Sequence, residues 1–146
     1  MAITSAICNS FKQEILEAEH NFTASTGNTF NLALYTSSAT LGAGTTAYTT
    51  TEEITNTSGT AYTAKGKALT SVTPTLDSST AVCDFADVSW TSASFTANGC
   101  LIFNDSHSTD AAVCAIAFGG DKTVSSVTFT IQFPAAAATT AIIRIA

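Results

Sequence analysis

From Thr29 onward the chain repeatedly alternates apolar with polar residues, most clearly where Val127, Phe129, Ile131 and Phe133 interleave with Thr128, Thr130 and Gln132. A period of two sends one set to each face of an extended backbone, so such a segment buries itself as a strand with one covered face. Phe30, Leu32 and Leu34 alternate with Asn31, Ala33 and Tyr35 in the same way across residues 29–36. Further strands are expected over residues 67–72, 81–85, 88–90, 94–96, 99–104, 112–118 and 141–145. Ser, Thr, Gly and Asn clusters separate them, and Gly119-Gly120-Asp121-Lys122 carries the chemistry of a tight turn. That turn predicts an antiparallel hairpin of residues 112–118 with 127–133. Many short strands without alternating helices indicate an all-β fold, an antiparallel β-sandwich of jelly-roll-like type. Its core is expected from Phe30, Leu32, Leu34, Val82, Phe85, Trp90, Leu101, Phe103, Ile116, Phe118, Phe129, Ile131 and Phe133.

One segment breaks the period. Ile7, Phe11, Ile15 and Ala18 recur at the spacing of one helical face, with Lys12, Glu14, Glu17 and Glu19 elsewhere, which predicts an N-terminal helix over residues 5–19. Ser5 is the expected N-cap, His20 is placed to complement the C-terminal macrodipole, and Phe22 to pack just past the end. The helix either lids one end of the sandwich or docks into a neighbouring subunit. Residues 37–65 form a long segment rich in Gly, Thr and Ser, with Leu41, Tyr48, Ile54 and Tyr62 as its larger apolar anchors. Loops of that length have a function or pack on something. The segment is expected either to cover the sandwich edge or to act as an arm ordered by a neighbour, with those four residues as candidate assembly contacts. Residues 135–140 form an Ala-rich link between two strands. No internal repeat or boundary divides residues 1–146, which are expected to form one domain.

Only 11% of the residues are charged, against about 25% in an ordinary soluble protein. The surface must therefore be neutral and hydroxyl-rich, and covering it with other protein costs little desolvation or side-chain entropy. Eleven acidic and five basic residues give a net charge of −6 and no basic stripe, which argues against direct nucleic-acid binding. No apolar run approaches the roughly 20 residues of a membrane span. The first residues lack the basic region of a secretory signal, so the chain is expected to be cytosolic when made. Cys8, Cys83, Cys100 and Cys114 lack zinc-ligand spacing. They read as buried thiols, or as one disulfide of Cys83 with Cys100 or Cys114.

Raw material for catalysis is scarce. His107 lies in the polar stretch NDSHSTD, where Asn104, Asp105, His107 and Asp110 form either a solvated turn or a loose cation site without the spacing or Gly of an EF-hand. Glu52 and Glu53 are neighbours on extended backbone, which point apart, and are expected to face solvent or pair with Lys65 or Lys67. Gly42-Ala43-Gly44 has no following Lys and helix to make a phosphate cradle. Trp90 is expected in the core, or with Tyr48 and Tyr62 in a carbohydrate-stacking platform. The expectation is a protein that is not an enzyme and uses no cofactor or metal.

The segments ICNSFKQEILEAEHNF, LALYTSSATLG, AYTTTEEITNTSGTAYTAKGKALT, WTSASFTANGCLIFN and FTIQFPAAAATTAIIRIA resemble those of a family of small virion proteins of tailed bacteriophages, over nearly the whole chain. That resemblance implies a particle component present in many copies, without cofactor, assembled in the host cytoplasm and located in the virion. A capsid decoration or cement protein, bound to the major capsid protein or other virion proteins and to its own copies as a homo-oligomer, is the expected role. The alternatives are a tail, fibre or head-to-tail accessory protein, and a carbohydrate-binding module for host attachment.

Overall fold

The computed structural model describes residues 2–55 and 59–146, so residues 56–58 of the long segment lie outside the described residues. Its strands form two antiparallel sheets. β1 (Ala6–Ile7), β2 (Phe30–Tyr35), β3 (Lys67–Ala68), β6 (Val88–Asn104) and β7 (Ala111–Ile131) form the larger, in the order β1-β7-β6-β2-β3. β4 (Ser71–Asp77), β5 (Thr80–Phe85) and β8 (Ile143–Ile145) form the smaller, in the order β4-β5-β8. An all-β sandwich with one short N-terminal helix is thus the architecture, while this strand order does not establish a jelly-roll connectivity.

The centre of the larger sheet is a hairpin of 17 and 21 residues. The expected separate strands 88–90, 94–96 and 99–104 are one strand, β6, and residues 112–118 run on into 127–131 as β7. The expected hairpin between 112–118 and 127–133 is therefore not formed; both segments pair with β6, from Asn104↔Ala111 to Val88↔Ile131. The reversal lies instead in the NDSHSTD stretch, closed by the bonds of His107 N to Asn104 O and Asp110 N to His107 O. Gly119 and Gly120, at φ +74° and +142°, belong to a wide bulge of residues 118–121 between the pairs Ala97↔Lys122 and Gly99↔Ala117. A bulge and a turn need the same positive-φ residues, so composition cannot tell them apart.

Bulges also shift side-chain parity. Val127, expected to face the core, is 52% exposed, because register shifts flank its pairing with Ala93 and Ser126 sits at φ 55°. The other expected core residues are buried, except Ile116, Phe118, Ile131 and Phe133, which are half-buried against the core. Strand β2 was read as half-covered, yet Ala33 and Tyr35 are as fully buried as Leu32 and Leu34, because other chain segments cover both faces. Phe30 stacks on Phe22 at 4.2 Å, and Phe85 of β5 meets Phe22, Phe30 and Phe133 at 5.5–6.2 Å, which joins the two sheets through rings. Burying each such side chain contributes about 1.5–3 kcal/mol.

The helix α1 spans only Asn9–Leu16. Ala6 and Ile7 are held as β1 against Ala115 and Cys114, so they cannot join it, and Ser5 is no N-cap; its hydroxyl accepts the amide of Ala117. Cys8 occupies the N-cap without a side-chain capping bond, its thiol donating instead to Gly42 O. At the other end Ala18 adopts φ 61°, Glu19 N bonds Glu14 O and Ala18 N bonds Ile15 O, which is the Schellman pattern with Ala in the seat Gly prefers. Phe11 is buried beside His20 and Phe22, so the helix packs by one face and Phe22 lies where expected. Gly66 follows the long segment at φ +66°, where a Cβ would stand 1.8 Å from Leu32 O.

These two left-handed positions predict opposite outcomes in chemical denaturation. Gly66→Ala collides with backbone that cannot yield and should cost more than about 2 kcal/mol, whereas Ala18→Gly relieves strain and should gain about 0.5 kcal/mol.

Candidate functional site

The long segment is built into the fold. Leu41, Ile54 and Tyr62 are buried and Tyr48 is half-buried against the core, its ring 4.8 Å from Phe103. Backbone bonds fix its course, with Ile54 N to Leu34 O, Thr36 N to Glu52 O, Tyr48 N to Asp110 O and Ala112 N to Thr46 O. The four candidate contact residues therefore point into their own molecule, so any role between subunits would require the segment to leave its seat. The polar outer side of the segment is the part another molecule can reach.

Glu53 organises this seat. Expected to face solvent or pair with a lysine side chain, it is buried. Its Oε1 accepts the Tyr62 hydroxyl at 2.7 Å and the Lys65 amide at 2.8 Å, and its Oε2 accepts the Tyr48 hydroxyl at 2.5 Å. The Tyr62 oxygen in turn accepts the Leu34 amide at 2.9 Å, which ties the carboxylate to the centre of β2. Three donors thus satisfy both oxygens of this buried carboxyl group, which is what a polar group in the interior requires. Burial pushes the Tyr48 hydroxyl up to about 12, with the Glu53 hydrogen bond adding to the effect. Burial likewise raises Tyr35 and Tyr62 well above the usual tyrosine range, reinforced by Glu53. Glu52 turns away, exposed, and accepts the Thr36 hydroxyl.

The hairpin tip joins the same seat to the N-terminal region. Lys65 Nζ lies 2.8 Å from both Asp105 and Asp110, which hold its proton more tightly than usual. Asn104, fully buried, accepts the Ser106 amide through Oδ1, so its Nδ2 faces Glu19 O, Asn28 Oδ1 and His20 Nδ1. With donors on that side, His20 Nδ1 must accept, and its Nε2–H donates to Glu14 at 2.8 Å. His20 thus forms a buried joint between α1 and the hairpin and does not cap the helix. His107 stacks on it at 6.3 Å and approaches Glu19 at 3.5 Å. Of the four residues considered for a cation, Asp105 and Asp110 share Lys65 while Asn104 and His107 turn to other groups, and among the described residues no group of three or more His, Cys, Asp or Glu is placed to hold a metal.

All four cysteines are buried and free. Burial pushes Cys8 to about 11 and Cys83 and Cys100 to about 12, with Glu14 adding to Cys8, and raises Cys114 well above the ordinary thiol. Such thiols are poor nucleophiles. Trp90 is in the core, stacked 6.1 Å from Tyr62, so the two do not form an exposed platform.

The exposed feature that sequence reasoning missed is a two-stranded ribbon. β2 pairs only with residues 99–104 of β6, and β1 only with Cys114 and Ala115 of β7. Residues 88–97 and 122–131 therefore extend past both neighbours as a pair. Its inner face holds Trp90, Phe95 and Phe129, while its outer face carries cross-strand polar pairs, Ser89 with Thr130 and Thr96 with Thr123, each at 2.8 Å. Asn98 and Asp121 extend that row, also at 2.8 Å. The uninterrupted polar positions of β6 were the available signal, hidden by reading its bulges as strand ends.

No family model matches the chain, and neither a curated protein nor a solved structure matches it.

Two predictions follow the Glu53 seat. Glu53→Gln sets an amide donor against hydroxyl and amide donors and should cost about 2–3 kcal/mol in urea denaturation, against less than about 0.5 kcal/mol for the exposed Glu52→Gln. In an ultraviolet alkaline titration, no tyrosine of the folded protein should ionise near the free value of about 10. Because folding raises these hydroxyls, their contribution is complete below about pH 10 and is lost as pH climbs toward 12 and beyond, so stability should fall across that window.

Proposed function

We propose that this chain is a structural component of a tailed-bacteriophage particle, a capsid decoration or cement protein that binds capsid subunits and its own copies. The resemblance in sequence supplies the virion context. The observation that carries the structural reading is the β6–β7 ribbon. It presents a hydroxyl-bearing outer face and, along residues 122–131, an edge that pairs with no third strand, while its β6 edge is partly taken by the bonds of Ser94 N to Thr60 O and of Lys67 to the Ser89 carbonyl. Strand edges add to a partner through backbone hydrogen bonds, and a neutral Ser/Thr face is covered at little desolvation cost. Modest affinity per copy suffices on a repeated lattice, where many contacts act together through effective concentration.

A glycan-binding module would present exposed rings for stacking. The exposed large hydrophobic side chains among the described residues are Leu16, Val72, Leu76, Val127 and Ile145, all aliphatic, which favours protein contact.

Quantitative mass spectrometry of purified particles tests the reading. The expected ratio to the major capsid protein is near one or a simple fraction fixed by capsid symmetry, and particles lacking the protein should disrupt at lower temperature. A few copies per particle would replace cement with a tail or fibre role, and absence from the particle would overturn the proposal.

A further inference from the structure

A second feature of the ribbon stands apart from the virion reading. Where the wide bulge of residues 118–121 bends β7, a cleft of about 460 Å³ opens between the two arms of that strand and the segment leading to β8. Ile116, Phe118, Phe129, Phe133 and Ile142 line it together with fully buried Cys100, and Thr130 and Gln132 are its polar neighbours. Its size and apolar lining fall within the range of small-molecule sites. Of the ten hydrophobic side chains left half-buried against the core, five line this one cleft: Ile116, Phe118, Ile131, Phe133 and Ile142. Partly covered apolar side chains are thus gathered in this cleft.

Lys122, an exposed residue, is the basic side chain among the lining residues. Lys12 bonds Asn9, Lys65 bonds Asp105 and Asp110, Lys67 bonds the Ser89 carbonyl, and Arg144 bonds the Ala138 carbonyl. Lys122 alone among the described basic side chains has no such partner, and its neighbour Asp121 is engaged by Asn98. No carboxylate lines the cleft. An apolar slot with one unpaired cation among its lining residues is complementary to an anion carried on an apolar chain, and to neither a cation nor a polar solute.

We infer that this cleft binds a small monoanionic amphiphile, its apolar chain against Phe118, Phe129 and Ile142 and its headgroup on Lys122. Sodium decanoate is the probe, kept below its micelle concentration, with decanol as the neutral control, followed by amide chemical-shift titration of the full-length protein. Decanoate should shift the amides of Phe118, Phe129 and Ile142 saturably. Lys122→Ala, at an exposed position, should weaken decanoate roughly tenfold and leave decanol unchanged. Ile142→Glu, which sets a like charge in the wall, should abolish decanoate binding while unfolding and circular dichroism report an intact fold. Three results would each overturn the inference: no saturable shift, shifts confined to a second groove that Phe11, Ile15, Phe22 and Val82 line beside α1, or equal decanoate affinity with and without the Lys122 ammonium.

Discussion

Both halves of the molecule are built on the pairing of β6 with β7. One end of this hairpin carries β1 and β2 at its flanks and forms the centre of the larger sheet, while the other runs on as a ribbon. Pairing across so long a ladder satisfies the backbone polar groups of the strands whatever their side chains do. That freedom allows one face to be apolar and the other to be filled with Ser, Thr and Asn. The bulges decide which side chains face the core, since each extra residue reverses the alternation beyond it.

A chain with few charges has few means of fixing long irregular segments, and this one concentrates them at two points. Glu53 receives three donors from the segment it stabilises, and Lys65 carries that segment to Asp105 and Asp110 at the hairpin tip. The Asn104–His20–Glu14 chain brings the N-terminal region to the same tip. Removing one member of a buried network costs more than the net worth of a single bond, because its partners stay desolvated. The described parts of the long segment are therefore held in place by bonds within the molecule, and a surface ordered in advance binds with less ordering cost than an arm.

The chemistry of the interior is inert by the same logic. Buried thiols and tyrosines are pushed to high pKa by desolvation, and both histidines have partners for their ring nitrogens. The outer face of the β6–β7 ribbon presents hydroxyl and amide groups, and the exposed large hydrophobic side chains among the described residues are aliphatic.

Sequence periodicity alone determined the fold class, the positions of β2 and β5, parts of β6 and β7, and most of the core, because a buried face must repeat every two residues whatever the topology, whereas β1 and most of β4 were not legible in it. Neutral surface character also followed directly from composition. The tertiary structure decided which turn is the hairpin, since Gly119-Gly120 and the NDSHSTD stretch have equally good turn chemistry and only the pairing partner of residues 111–117 separates them. It also shortened the helix, because Ala6 and Ile7 gain strand bonds from β7 that outweigh one more helical turn. Glu53 is the clearest case: adjacency to Glu52 suggested a solvent-facing pair, whereas its burial depends on Tyr48 and Tyr62, residues brought together only when the long segment folds back on β2. Donors 5, 9 and 12 residues away in the chain create that site, and neither the strand period nor the helix period encodes them.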